Sequence, residues 1–271
     1  MKLPFLRLLF IVVIASGTVA CHKDHPPDSG GTTLDKTVTQ YSGQPGVTAT
    51  TQYQYDASNR LVLITSFSSQ GNNVDSNKLV YDANGRLSQH IFSNSTIGPV
   101  ERDSFWYDNN GRITRSRAIA LAINLSVDDH TFAFDAQGRL VADSQRIRQF
   151  GPVFNYHKYT YDANDNVVRD DQFGQNGSAM EQESTAGISY DSHTNPLYKN
   201  SIAIYMATQN RDALSRNDPV NTNWQSSTGG MPSSTPVNCN YYRNGPLWHT
   251  TLVSTSPATG TVTTEYFYKA P

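Results

Sequence analysis

One short phrase recurs seven times along this chain, and its spacing constrains the fold more than anything else in the sequence. It reads Tyr55-Asp-Ala-Ser-Asn-Arg-Leu61, Tyr81-Asp-Ala-Asn-Gly-Arg-Leu87 and Tyr107-Asp-Asn-Asn-Gly-Arg-Ile113. It continues as Phe134-Asp-Ala-Gln-Gly-Arg-Leu140 and Tyr161-Asp-Ala-Asn-Asp-Asn-Val167. Two looser copies begin at Tyr190 and Tyr241. The lead aromatics lie 26, 26, 27, 27 and 29 residues apart, and the final gap of 51 is close to two periods. A fixed period of this length marks a repeat architecture in which one supersecondary unit stacks on the next.

Each copy reads as the tip of a β-hairpin. An apolar or aromatic residue precedes the lead aromatic by two in every copy: Tyr53, Leu79, Phe105, Phe132, Tyr159, Ile188 and Cys239. Residues i and i+2 share one face of a strand, so each incoming strand ends with two bulky groups on one side. Two turn types compete. A two-residue Asn-Gly turn pairs Asp with Leu and scrambles the faces. A three-residue loop with a left-handed residue and a bulge pairs Tyr with Leu on the packed face and Asp with Arg on the wet face. The second is expected. Where glycine is missing the chain has Asn59 or Asp165, residues that tolerate positive φ. The exposed Asp–Arg pairs contribute about 0–1 kcal/mol each and set register more than stability.

Polar stretches such as 69–77, 93–99 and 174–178 supply the looser turns between hairpins. The pattern runs from about residue 46 to 192, then breaks at Asn195-Pro196-Leu197. Ile202, Tyr205, Met206 and Ala213 recur at helical spacing, which predicts one short helix near 200–214 covering part of the sheet. Residues 217–236 read as loop, and strands resume at Val237. The expected fold is mainly all-β: an antiparallel meander of repeated hairpins curled into a rolled sheet or half-barrel, because a sheet of this many strands twists. The expected organisation is a lipoprotein signal peptide over 1–20, a flexible tether over 21–40 and a single β domain over 41–271.

The first twenty residues have a positive start (Lys2, Arg7), an apolar run from Leu8 to Ile14 and small residues after it, as a secretory signal does. Thr18-Val-Ala-Cys21 resembles a bacterial lipobox, which makes Cys21 the acylated first residue of the mature chain. An ordinary secretory signal with Cys21 as a free thiol is the alternative. The tether, His22 to Gly31, has no core-forming residue, and its Lys23-Asp24 resembles the signal beside the lipidated cysteine of surface-displayed Bacteroidota lipoproteins. A periplasm-facing anchor is the alternative to surface display. Cys239 is the only other cysteine, so acylation of Cys21 leaves no internal disulfide. Of 21 basic residues, Lys2 and Arg7 leave with the signal, so the mature chain has 19 basic residues against 23 acidic, a net charge of −4. That balance argues against nucleic acid or an anionic membrane surface as partner.

A search for chemistry returns little. Asp162-Ala-Asn-Asp-Asn166 lacks the glycine and distal glutamate of a calcium loop. The seven histidines show no zinc-ligand spacing, and there is no Gly-x-Ser-x-Gly or phosphate-cradling glycine loop. No metal, cofactor or catalytic residue is predicted. Most aspartates sit in turns, which leaves few for a glycosidase pair. The candidate binding residues are aromatics off the packed parity: Trp106, Phe154, Tyr156 and Tyr242. Such rings can stack on sugars or anchor a protein partner; packing of both faces of a curled sheet is the structural alternative.

The Tyr-Asp-x-x-Gly-Arg-Leu phrase resembles the YD repeat of RHS-type proteins. With the lipobox and the Asn-Pro-Leu break, most of residues 40–268 is similar to Bacteroidota-type lipoproteins with YD repeats. The resemblance implies a hairpin scaffold, and glycan binding is suggested for such repeats as a class. The expected function is therefore a lipid-anchored cell-envelope protein of the outer membrane. Its expected role is non-catalytic, that of a binding or scaffold protein holding a glycan or an envelope protein. The alternatives are an enzyme acting on polysaccharide through a carboxylate pair hidden by the fold, and a purely structural spacer.

Overall fold

The structure is a computed structural model, which describes residues 33–71, 74–148, 153–176, 179–226, 233–244, 247–256 and 260–268; side chains at 153, 176, 193 and 233–261 lie outside the description. The chain begins with β1 (Leu34–Tyr41), β2 (Thr48–Tyr55), β3 (Leu61–Ser68), β4 (Val74–Tyr81), β5 (Leu87–Asn94) and β6 (Gly98–Tyr107). It continues with β7 (Ile113–Ala120), β8 (Leu125–Phe134), β9 (Leu140–Ile147), β10 (Val153–Tyr161), β11 (Val167–Asn176) and β12 (Ala179–Thr194). Then come helix α1 (Ser201–Thr208), β13 (Asn217–Ser226), β14 (Ser233–Asn244), β15 (Leu247–Ser256) and β16 (Gly260–Tyr268). Every strand pairs antiparallel with its sequence neighbour, as a meander requires, and the curl runs on to closure. β1 pairs with β16, Val38 opposite Glu265, so the sixteen strands among the described residues form one barrel.

Closure moves one boundary. Residues 34–40, expected to belong to the tether, form the strand that joins the two ends of the sheet, so the domain begins at Leu34 rather than at residue 41. Leu34 is buried, and Thr39 shares a side-chain hydrogen bond with Thr264 of β16. A barrel removes both unpaired edges, which a half-barrel would leave open.

The tight turns follow the bulged register. Tyr55 pairs with Leu61, Tyr81 with Leu87, Tyr107 with Ile113, Phe134 with Leu140 and Tyr161 with Val167, each beside a register shift. Asn59, Gly85, Gly111, Gly138 and Asp165 take the left-handed position, with φ between 59° and 84°. In the first copy, Asp56 Oδ1 accepts from the backbone N–H groups of Ser58 and Arg60, and Oδ2 accepts from the Arg60 guanidinium. The seventh copy departs from this scheme: Asn244 pairs with Leu247.

The repeated arginine does more than set register. Arg60 stacks over the Tyr81 ring of the next copy, Arg86 over Tyr107 and Arg139 over Tyr161. The same tyrosines donate their hydroxyls backward, Tyr81 to the Leu61 carbonyl and Tyr161 to that of Leu140. The phrases led by Tyr81, Tyr107 and Tyr161 thus each clasp the one before by a cation–π contact and a hydrogen bond.

Behind the turns lies the core. Leu61, Leu87, Ile113, Leu140 and Val167 form one buried tier, and Tyr53, Leu79, Phe105, Phe132, Tyr159 and Ile188 form the next. The break at Asn195 completes this end of the barrel. Asn195 N–H donates to the Arg216 carbonyl, the bond that Asp56 N–H makes to Arg60 in a normal turn. Residues between them are therefore an excursion inserted into a tight turn, and it folds inward. Leu197, Ile204, Tyr205, Met206, Ala213 and Leu214 are all buried in the core cluster. α1 thus plugs the lumen, rather than covering the sheet from outside, and is apolar around much of its girth. Residues 217–226, read as loop, are strand β13: their polar side chains belong to a sheet position with one wet face.

Candidate binding surfaces of the barrel

Strand alternation divides the wall into an inward and an outward set. Beyond the two apolar tiers the inward set turns polar. His90 meets Asp103 Oδ2 at 2.6 Å and Asn77 Oδ1 at 2.9 Å. His130 meets Asp143 at 2.7 Å and Asp128 at 3.5 Å, and His157 meets Asp170 at 3.0 Å. Each His–Asp partner lies 13 residues on, the distance that crosses one strand connection. Tyr205 of the plug donates to Asp143 Oδ2 at 2.7 Å and stands 2.9 Å from the Tyr159 hydroxyl.

Among the described residues, two cavities border the plug. One, of about 290 Å³, is lined by Glu101, Asp103, Asp128, His90 and His130 with the Phe92 and Phe132 rings. The other, of about 260 Å³, is lined by His157, Asp170, Gln172, Arg211 and Trp224. Burial pushes the Glu101 carboxyl above its usual range, and the carboxylates of Asp103 and Asp128 add to it. Burial would depress His130, but its bonds to Asp128 and Asp143 outweigh that and raise its pKa to about 10. No cluster of three or more metal-ligating side chains occurs among the described residues.

The outward set carries the predicted aromatics. Trp106 is 44% exposed. Its cross-strand register partners run Arg115, Thr131, Ser144, Tyr156 and Phe173, one from each of β7–β11. Trp106 and Tyr156 therefore end a single row, four strand spacings or roughly 19 Å apart at about 4.8 Å per strand. Between them lie the small hydroxyl side chains of Thr131 and Ser144. The next row reads Ser104, Arg117, Asp129, Arg146 and Phe154. The structure thus brings Trp106, Phe154 and Tyr156 onto one outer strip. Arg115 covers one side of the Trp106 ring, Arg146 stacks with Phe154, and Tyr156 packs on Phe173. The side chain of Tyr242, and Cys21, lie outside the described residues.

With fold and surfaces in place, the chain can be set beside known proteins. No family model matches it, and no curated protein does. Solved structures do. A porin-like protein from Bacteroides uniformis ATCC 8492 superimposes with a TM-score of 0.54 at 12% identity, over 88% of this chain and 99% of that one. A porin-like protein from Bacteroides vulgatus ATCC 8482 gives 0.52 at 10% identity, over 89% and 99%. At these identities the likeness is one of fold. A chain of the TcdB2-TccC3-Cdc42 structure also aligns, at 12% identity over 78% of this chain but 14% of its own length, with a TM-score of 0.21.

The outer wall differs from that of a lipid-spanning barrel, which shows an apolar band about 25 Å tall. Outward positions here include Arg115 and Arg117 within β7, Asp129 in the middle of β8 and Arg146 near the end of β9. Asp129 accepts from Arg115 and Arg117 at 2.9 and 2.8 Å and from Arg148. Burial raises its pKa, but the three guanidiniums outweigh that and bring it down to about 2.

Sequence reading singled out the outer rings but missed the lumen pairs. A signal for them was present: Asp103, His130 and His157 each stand four residues before a lead aromatic, and His90, Asp143 and Asp170 three after the closing leucine or valine. Those offsets place all six inward, in one tier.

Proposed function

We propose that this protein is a lipid-anchored envelope protein, held by an acylated Cys21, that binds a glycan non-catalytically on its outer wall. The observation that carries the reading is the row from Trp106 to Tyr156, a strip of the outer wall with aromatic ends and with Arg115, Thr131 and Ser144 between them. Flat rings spaced along a strip suit sugar faces, and Thr and Ser hydroxyls suit their edges. The porin-like proteins of Bacteroides lend support to an envelope setting through the fold alone. Outer-membrane attachment with the barrel facing outward from the cell is the proposed arrangement. A glycan-array screen of the Cys21→Ser chain, repeated with Trp106→Ala, tests it: a hit weakened by the substitution supports the reading, and an array blank for both chains overturns it.

Glu101 favours a second reading, that of a polysaccharide-acting enzyme working inside the lumen. It faces the larger cavity with its carboxyl held protonated more readily than usual, as a general acid requires. Its neighbours weigh on the other side: Asp103 is engaged by His90, and Asp143 by His130 and Tyr205. Release of reducing sugar by the wild type but not by Glu101→Gln is the result that would favour the enzyme.

A further inference from the structure

Along β6–β10 the charged side chains sort unequally between the two faces of the wall. Inward positions hold Glu101, Asp103, Asp128, Asp143 and Asp170. Outward positions of β6–β10 hold Arg102, Arg115, Arg117, Arg146 and Lys158, with Arg148 just past β9, against Asp129 alone among the described residues. One carboxylate shared by three guanidiniums leaves two positive charges over, and Arg146 stands beside it in the same row. These side chains reach water: Arg115, Arg117 and Arg148 are 36 to 42% exposed. None belongs to the repeated phrase, whose own arginines are held in turns. The excess is a property of this stretch of wall, laid along the same strip as the aromatic rings.

We propose that the ligand of the outer strip is an acidic polysaccharide, one carrying carboxylate or sulfate groups. The inference rests on the glycan-binding reading above and adds the charge. Guanidiniums recognise carboxylate and sulfate oxygens by paired N–H donors while the rings take the sugar faces. Arg115 and Arg146 serve both ends of the strip, since each already lies against one of its rings, Arg115 on Trp106 and Arg146 on Phe154. Asp129 holds the guanidiniums in place but competes with the ligand for them. Its removal therefore strengthens binding of the anion.

The test is a titration of the full Cys21→Ser chain with polygalacturonate and with a sulfated galactan. Each is run against its uncharged counterpart, the carboxyl-reduced or desulfated polymer, at low and high salt. The expected result is binding of an acidic polymer at least about tenfold tighter than its neutral form, weakening with salt as exposed charge pairs do. Arg146→Gln should remove most of that preference. Asp129→Asn should raise affinity for the acidic polymer. Equal affinity for charged and neutral polymers overturns the charge assignment and leaves glycan binding standing. Binding to neither overturns both. Tighter binding to vesicles of phosphatidylglycerol than to either acidic polymer assigns the strip to a membrane surface instead and overturns the proposal.

Discussion

The hydroxyl of Tyr205, on the plug helix, donates to Oδ2 of Asp143 on β9 at 2.7 Å, joining residues 62 positions apart. Asp143 also holds His130 at 2.7 Å, and Tyr159 meets Tyr205 at 2.9 Å, so one buried carboxylate ties the plug to the wall. Tyr205→Phe keeps the ring and deletes its two bonds, to Asp143 and to Tyr159. It should destabilise the fold by about 1–3 kcal/mol, because it leaves buried polar partners unmatched. Urea denaturation would show it, and a midpoint equal to wild type would contradict the latch.

His130 makes stability depend on alkaline pH. Its folded pKa, about 10, lies above the ordinary 6.5, so the folded state holds the proton more tightly than the unfolded chain. The contribution is complete below about 6.5 and disappears as pH rises through about 10. Thermal melts at stepped pH should fall over that window. The fall should be smaller in His130→Gln, and equal falls in both chains would remove His130 as the cause.

Asp129 acts at the opposite end of the scale. Its folded pKa, about 2, lies below the ordinary 3.8. The stability it brings is present above about 3.8 and is lost as pH falls through about 2. Asp129→Asn leaves Arg115, Arg117 and Arg148 without their shared carboxylate. A cost of about 1–3 kcal/mol at neutral pH is expected, the lower part reflecting their exposure to solvent.

Gly111 sits at φ +76° with open space where a Cβ would stand. Gly111→Val should cost about 1–3 kcal/mol through backbone strain, with no clash to add to it. Gly111→Asn should cost far less, as Asn59 at φ 59° does the same task in the first copy. Matching melting temperatures for the Val and Asn chains would refute the strain argument.

Cys21→Ser should move the protein from the membrane to the soluble fraction of cells. Continued membrane association would remove the lipid anchor.

The hairpins were legible because the forces that set them are local. Asp56, Asn59, Arg60 and Leu61 lie within six residues of Tyr55, and turn geometry with alternating burial fixes their register. The outer rings were legible for the same reason: Trp106 lies between Phe105 and Tyr107, so parity alone sends it outward. The plug was half legible. Helical spacing at 202–206 announced α1, but a pattern of apolar residues gives no direction, and only tertiary contacts such as Tyr205 with Asp143 and Tyr159 show the excursion entering the lumen.

By itself, then, the sequence determined the repeated unit, its bulged turn and the face each side chain takes. The tertiary structure decided what the faces enclose. Closure by β1 and β16 depends on contacts between residues such as Thr39 and Thr264, 225 positions apart, which no local signal encodes. Once the sheet closes, one parity becomes a lumen where histidines meet aspartates, and the other becomes a convex wall where Trp106 and Tyr156 share a row. Alternation is a local property of a strand. Inside and outside exist only for a closed surface.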